Sequence, residues 1–327
     1  MQNGNLFPET VSSQEIARQA NQKHVDRIEA RARPSDAVLA PVIRLYNSRI
    51  TASDAPIDLL RNLTAPLLEA FDETRHGIEA RMKEKWVNNP ERVGSSVTNS
   101  LRRSAGTNFQ GLVSYALAKY LLATSSTWYL QHPVPKDLSE SLAIRFTAGL
   151  PLQANEEAEN GRDSNGIEVD TEGQGEKSSF VVKPDVDIML RDAAWQGDAG
   201  GLEPIILLSV KTSLADRAGS AARWKLYFDL VTNPCPFLSR PGCAYQSLGI
   251  EMDNPNGYRI QHAIVTANIY KFNFHDVRFR KGELASGQTR SNTYMFNHKY
   301  TTRDDEEAET PPDWKPFAEF AALLNKA

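Results

Sequence analysis

A chain of 327 residues, of which 40% are apolar and 24% charged, has the composition of a globular protein and not of a disordered one. No apolar run reaches the roughly 18 to 20 residues that span a bilayer, and the chain starts without the basic-then-apolar pattern of a secretion signal, so we expect a cytoplasmic protein without a membrane partner. The net charge of −4 does not exclude a polyanionic partner, because two acidic segments, 154–176 and 304–309, carry −7 and −5 and leave +8 on the remainder.

Residues 10–87 have the apolar periodicity of helices. The first helix has a polar start at Ser13, and the second follows the cap candidate Ser35. A long third helix is predicted over residues 56–87, with a break or kink at Pro66. The chain therefore begins with a helical region.

A polar stretch, residues 88–100, predicts a linker after these helices, so we assign residues 1–95 to an N-terminal helical region. The following segment, SLRRSAGTNFQGLVSYALAKYLLATS, has apolar residues at the i, i+3, i+4 spacing of one buried helix face. Residues 154–176 are rich in Glu, Asn and Gly and nearly lack large apolar side chains, which predicts a flexible acidic loop.

Strand-like runs dominate the rest of the chain. The first two, residues 179–192 and 203–213, flank a glycine-rich stretch that suits a hairpin connection. Further strands are predicted within residues 258–274 and 292–302, and a terminal helix within 314–327. Helices and strands together indicate an α+β fold.

The predicted hairpin brings acidic and basic side chains together. Side chains alternate between the faces of a strand, so Asp185 shares a face with Asp187, and Ser209 with Lys211. Carboxylates are ligands for Mg²⁺, which polarises a phosphoryl oxygen and activates water, while a lysine can orient the nucleophile or stabilise developing charge. Pairing of the two strands therefore favours phosphodiester hydrolysis, although a lysine that ends a strand is also common on solvated edges.

These residues resemble the PD-(D/E)xK nuclease superfamily. PDVDIML supplies the first half of its motif and SVK the second, with Ser209 where most members have an acid. A serine there is similar to the restriction endonucleases that recognise CCGG and related sites, in which KTS is followed by a base-reading motif, as in KTSLADR here. The upstream SLRRSAGTNFQ resembles the start of the first catalytic-domain helix of that group. The resemblance covers roughly residues 100–230 and implies a mixed sheet flanked by helices.

The resemblance implies a set of catalytic residues. Asp185 and Asp187 would hold Mg²⁺, with the principal ligand of the two left open, and Lys211 would position the attacking water. In the related enzymes an acid on the next helix replaces the missing carboxylate, and Asp229 is our candidate for that third metal ligand. Gln110 stands where members often have a helix glutamate near the metal.

DNA-binding candidates follow from the same resemblance. Arg217 would bond guanine and Asp216 would accept from cytosine, although an acid beside a base at this turn is also typical of helix capping. Ala215 replaces the first basic residue of the reading motif, so part of the guanine recognition is absent there. The remaining candidates are arginines that could contact phosphates or bases, or simply be solvated: Arg102, Arg103 and Arg223.

Together these patterns predict a type II restriction endonuclease that cuts double-stranded DNA with Mg²⁺, with residues 96–327 as its catalytic and DNA-recognition domain. A palindromic site would be matched by a homodimer or higher homo-oligomer, and a cognate DNA methyltransferase would be its genetic partner. Two alternatives remain: a repair or mobile-element nuclease with the same core, and an inactive DNA-binding protein that has lost the metal site.

Overall fold

The computed structural model describes most of the helices and the central sheet. Its described residues are 11–33, 39–51, 54–148, 169–170, 178–182, 184, 186–195, 197, 202–214, 218–232, 251–253, 258–268, 290–291, 293–303 and 310–325. Asp185, Asp216 and Arg217 lie outside these residues, as does nearly all of the predicted acidic loop.

Helices form the first part of the chain, as the sequence predicts. They are α1 (Ser13–Ala32), α2 (Leu39–Arg49), α3 (Thr64–Lys85) and α4 (Val93–Ala123). The side chain of Ser12 caps α1 by accepting a 3.2 Å hydrogen bond from the backbone N–H of Glu15. The predicted helix over residues 56–87 is interrupted before Pro66 and not at it: a 3-10 turn, Pro56–Leu60, precedes α3, and the proline lies in the first turn of α3, where its missing N–H removes no helical bond.

The linker predicted over residues 88–100 is wrong. A short 3-10 turn at Pro90–Arg92 leads directly into α4, which begins at Val93 and runs for 31 residues. Its N-terminal end is mostly polar, but Val93, Val97 and Leu101 recur at helical spacing and pack against α3, which holds this end in a helix.

Ten strands and three further helices follow α4 in the described part of the chain. The strands are β1 (Trp128–Gln131), β2 (Ile144–Ala148), β3 (Val169–Asp170), β4 (Ser178–Val182), β5 (Ile188–Asp192), β6 (Glu203–Lys211), β7 (Glu251–Asp253), β8 (Tyr258–Thr266), β9 (His298–Thr301) and β10 (Lys315–Pro316). The helices are α5 (Lys136–Ser141), α6 (Ala218–Thr232) and α7 (Ala321–Leu324), the last preceded by a 3-10 turn, Phe317–Phe320.

The central sheet has six strands in the order β1-β5-β6-β8-β9-β10. Strands β1, β5 and β6 are antiparallel neighbours, whereas β6, β8, β9 and β10 run parallel, so the sheet is mixed. The predicted α+β class and the predicted hairpin are both confirmed. Residue Ile188 pairs with Leu208 in the hairpin register.

Helices cover both faces of the central sheet. On one face, Leu208 and Val210 of β6 join a large apolar cluster with Leu112 of α4 and residues of α1 to α3. On the other face, Leu207 packs against Trp224 of α6. Strand β6 is therefore buried on both sides, which explains its nearly uninterrupted apolar run.

A second sheet contains part of a segment that the sequence predicted to be a single strand. It has four strands in the order β3-β4-β2-β7, so the predicted strand over residues 179–192 is in fact two strands in different sheets. Within the predicted acidic loop, Val169–Asp170 pairs with β4 and is strand. The later prediction over residues 292–302 holds only for β9.

Side chains of helix α1 form hydrogen bonds with backbone groups in and after β1. The side-chain amide of Asn21 donates to the carbonyl of Trp128 and accepts from the N–H of Leu130, both at 3.0 Å. One turn and a half later, Arg27 donates to the carbonyl of His132. A buried asparagine thus takes the place of a neighbouring strand for these groups.

Candidate active site

The open end of the β5–β6 hairpin brings Asp187 and Lys211 together. Asp187 immediately precedes β5 and Lys211 is the last residue of β6, so antiparallel pairing sets them at the same end of the sheet. The Nζ of Lys211 lies 2.8 Å from Oδ2 of Asp187, and the backbone N–H of Val210 donates to the same oxygen at 2.7 Å. The predicted pairing of a carboxylate with this lysine is therefore present in the structure.

Helix α4 adds a third donor to the same carboxylate. Gln110, in the middle of α4, donates from Nε2 to Oδ1 of Asp187 at 2.6 Å. The position of α4 is fixed by its buried face, in which Phe109, Leu112 and Val113 pack into the main apolar cluster. Both oxygens of Asp187 thus accept hydrogen bonds from elements that are far apart in sequence.

A histidine holds the backbone of Asp187. His132 follows β1 and donates from Nδ1 to the carbonyl of Asp187 at 2.8 Å. Burial is the main cause that lowers the pKa of His132, so the ring is neutral near pH 7. The carboxylate is consequently fixed through its side chain and through its backbone.

Burial makes this cluster energetically demanding. Only 5% of the Lys211 side chain and 6% of the Asp187 side chain are exposed. Moving both charges out of water costs several kcal/mol each, roughly, and good geometry with additional hydrogen bonds must offset that cost. A buried ion pair of this kind is therefore weak evidence of a stabilising role.

Ser209 points to the α6 side of the sheet and contacts a histidine. Its Oγ lies 2.9 Å from Nε2 of His262 on β8. The His262 ring packs edge-on against Phe228 and Phe296, and burial, with smaller contributions from Lys225 and Lys211, lowers its pKa to about 3. Ser209, which stands where most PD-(D/E)xK nucleases have an acid, is therefore in contact with a neutral histidine.

Asp229 is engaged by a lysine of its own helix. Its carboxylate forms an ion pair with Lys225 one turn earlier in α6, and this is the contact that the structure gives it. Lys225 is buried while the Asp229 side chain remains partly exposed. The proposed role of Asp229 as the third metal ligand stays a prediction, and Arg223 on the same helix is exposed.

The two arginines of α4 lie on the same helix as Gln110. Arg102 and Arg103 precede Gln110 by about two turns, and Arg103 is exposed. Their predicted contact with DNA remains a prediction. Of the predicted catalytic residues, Gln110 and Lys211 both contact Asp187. Ser209 lies on β6 two residues before Lys211.

The donor set suits a magnesium ion that is completed by substrate. Among the described residues, no group of three or more His, Cys, Asp or Glu side chains is arranged to hold a metal. Mg²⁺ is usually bound through one or two carboxylates, with waters and substrate phosphates supplying the remaining oxygens. Asp187, a buried carboxylate at a strand end, fits one such position.

Two site residues were missed by the sequence reasoning. His132 and His262 belong to none of the motifs above, and no two histidines of the sequence have the spacing of metal ligands. For His262 a signal existed, since it interrupts the apolar residues of β8 in a strand that is largely buried. For His132 none was visible, because its contact with Asp187 depends on how β1 pairs with β5.

Comparisons with known proteins add no family. A scan against protein-family models finds no match for this chain, and a search of curated proteins finds none either. In the part of the chain that the structure describes, every helix is too short or too polar to cross a membrane.

Proposed function

We propose that the protein is a Mg²⁺-dependent nuclease that hydrolyses phosphodiester bonds in double-stranded DNA. The observation that carries the proposal is the buried contact between Asp187 and Lys211 across the hairpin, with Gln110 bonded to the same carboxylate. An acid and a lysine on adjacent strands of a mixed sheet, flanked by helices, are what the resemblance to PD-(D/E)xK nucleases implies.

Each residue has a defined task in this proposal. Asp187 would hold Mg²⁺, together with Asp185 and Asp229 if they contribute. When bound there, Mg²⁺ supplies a Lewis acid for the phosphoryl oxygen and lowers the pKa of a bound water. The ammonium group of Lys211, held by Asp187, would orient the attacking water or stabilise charge that develops on the phosphate. Gln110 and His132 fix the side chain and the backbone of Asp187.

The finer assignment is a type II restriction endonuclease. It rests on KTSLADR, in which Asp216 and Arg217 follow the lysine in the register of the CC/GG-reading enzymes. A bidentate arginine to guanine and an acid to cytosine would then read the bases. A homodimer acting on a palindrome, and a methyltransferase that protects the host site, belong to the same proposal.

The decisive experiment is digestion of unmethylated phage DNA by the purified protein with Mg²⁺. Parallel samples contain EDTA or the Lys211→Ala variant, and the fragments are separated on a gel. Discrete bands that disappear in both controls support a site-specific nuclease. A smear of products contradicts the restriction assignment and favours a repair or mobile-element nuclease.

An inactive DNA-binding protein is the second candidate, and two contacts favour it. Ser209 is bonded to His262 and Asp229 to Lys225, so among the described residues Asp187 is the carboxylate that faces Lys211. Intact DNA in every sample, with a mobility shift of the DNA by the protein, would support this candidate and exclude a nuclease under these conditions.

A further inference from the structure

Helices α3 and α4 continue past the main core as a two-helix projection, which we call the distal hairpin and define as residues 75–103. Its interior is a separate apolar cluster of Ile78, Val97 and Leu101, with Met82 and Val93 packed against it. All members of that cluster come from α3 and α4. The distal hairpin is therefore held together by its own packing.

Charge is strongly divided along α3. Residues 64–74, next to the main core, contain three acids and no Lys or Arg, whereas the distal hairpin contains seven Lys or Arg residues against three Glu, a net charge of +4. Arginines of α2 take up two of those acids, in the ion pairs Arg49–Glu69 and Arg44–Glu73. Ion pairs with α2 thus take up two of the three acids in this half of α3, and within the distal hairpin the ion pair that the structure describes is Lys83–Glu79.

Four cations of the distal hairpin are exposed without an acidic partner among the described residues: Arg81, Lys85, Arg92 and Arg103. Two of them are held in place by an aromatic ring, because Lys85 Nζ and the Arg92 guanidinium lie 5.5 and 5.3 Å from the ring centroid of Trp86. Cation–π contacts of this kind orient long side chains without removing their charge. The tip therefore presents fixed positive charge to an external anion.

Helix geometry links this charge to the candidate active site. Arg103 precedes Gln110 by seven residues, which is about two turns or ~10 Å on the same helix face. Arg92 at the tip precedes Gln110 by 18 residues, or about 27 Å along a helix. At 3.4 Å per base pair, that length corresponds to roughly eight base pairs of duplex.

We propose that the distal hairpin is an arm that binds the phosphate backbone of duplex DNA about eight base pairs from the bond that is cut. The inference rests on the proposed function, since it takes DNA at Asp187 as its starting point. Arg103 would contact phosphates near the site, and Arg81, Lys85 and Arg92 would contact phosphates further along the duplex. The arm adds affinity and salt dependence but reads no bases.

The test compares two charge-removal variants on two duplexes. The arm variant is Arg81→Gln, Lys85→Gln, Arg92→Gln, and its matched control removes three exposed cations elsewhere: Lys23→Gln, Arg33→Gln, Lys136→Gln. Binding is measured by fluorescence anisotropy in EDTA, with the cut site central in duplexes of about 10 and about 40 base pairs, because only the longer one reaches the tip. Thermal unfolding confirms that both variants fold.

The proposal expects the arm variant to bind the long duplex about tenfold or more weakly, with a salt-dependence slope reduced by roughly two to three, and to bind the short duplex normally. The control variant should match the wild type on both. Equal loss on the two duplexes, or no loss on either, overturns the arm while the proposed function stands. Failure of the wild-type protein to bind either duplex overturns both, and equal binding of an RNA duplex of the same length overturns the assignment to DNA.

Discussion

The β5–β6 hairpin carries an ion pair at each end, and the two pairs differ in construction. At the closed end, Arg191 and Glu203 form two parallel bonds of 2.6 and 3.0 Å, and Glu203 raises the pKa of Arg191. At the open end, Lys211 makes one bond to Asp187, whose oxygens also accept from Gln110 and Val210. In the closed-end pair, one arginine donates to both carboxylate oxygens. At the open end, the carboxylate accepts hydrogen bonds from residues of two different elements, β6 and α4.

Under the proposed function, this difference separates a structural pair from a functional one. A bidentate arginine–carboxylate pair uses its planar geometry fully and needs nothing further to be stable. The two oxygens of Asp187 are instead shared among a lysine, an amide and a backbone N–H, and in the proposed function a metal ion would take the place of one of these donors. Four expectations follow, from the largest effect to the smallest, and each would sharpen or break this distinction.

Activity should depend on one end of the hairpin alone. Asp187→Asn and Lys211→Met each remove a charge from the proposed reaction and should lower the rate of DNA cleavage by about 10³-fold or more. Arg191→Met should leave the cleavage rate within roughly threefold at a temperature where the variant is folded, since it lies outside the reacting groups. Loss of activity in Arg191→Met to the same degree would remove the distinction between the two ends.

Removing one partner of the open-end ion pair should lower the free energy of unfolding more than removing both partners. Lys211→Met leaves the buried Asp187 without its cation and should lower the free energy of unfolding by about 3 to 5 kcal/mol. The double variant Asp187→Leu, Lys211→Met removes both charges and should recover most of that loss, because replacing a buried pair by apolar groups is often neutral. Denaturant unfolding of the single and double variants measures both values, and additive losses would contradict the expectation.

Acid should weaken the open end through its buried histidines. Burial lowers the pKa of His262 and of His24 to about 3, while the unfolded chain binds these protons near pH 6.5. The stability that each neutral ring contributes is complete above pH 6.5 and falls by about 1.4 kcal/mol per pH unit as the pH drops towards 3. Urea unfolding between pH 7 and 4 should show a flatter decline in His262→Leu than in the wild type, and an equally steep decline in both would contradict the expectation.

Replacing Gln110 by glutamate should modestly change the Mg²⁺ concentration that cleavage requires. The variant Gln110→Glu sets a second carboxylate beside Oδ1 of Asp187, where the wild type donates a hydrogen bond. We expect half-maximal cleavage at a Mg²⁺ concentration a few-fold lower, because two carboxylates attract the ion more strongly, and a lower unfolding temperature in EDTA. An unchanged Mg²⁺ requirement would indicate that the metal does not lie next to Gln110.

Local patterns in the sequence were sufficient for the hairpin and the N-terminal helices. Alternation placed Asp187 near Lys211, and the apolar run of β6 indicated a strand, which the fold covers on both faces. The linker prediction overlooked a signal at the start of α4, because Val93, Val97 and Leu101 recur at the i, i+4, i+8 spacing of a buried helix face among polar residues. Pairing between distant elements lies beyond such patterns, and so the contacts of His132 with Asp187 and of Ser209 with His262 emerged only from the fold.

The amide of Asn21 has a consequence for assembly. It occupies the outer N–H of Leu130 and the outer carbonyl of Trp128, which are the groups that an incoming strand would use. Two copies of the chain cannot form one continuous intermolecular sheet through β1 while α1 is in place, and a homodimer has to join through other surfaces. Removal of α1 would turn the same strand into a template for strand addition and hence for aggregation.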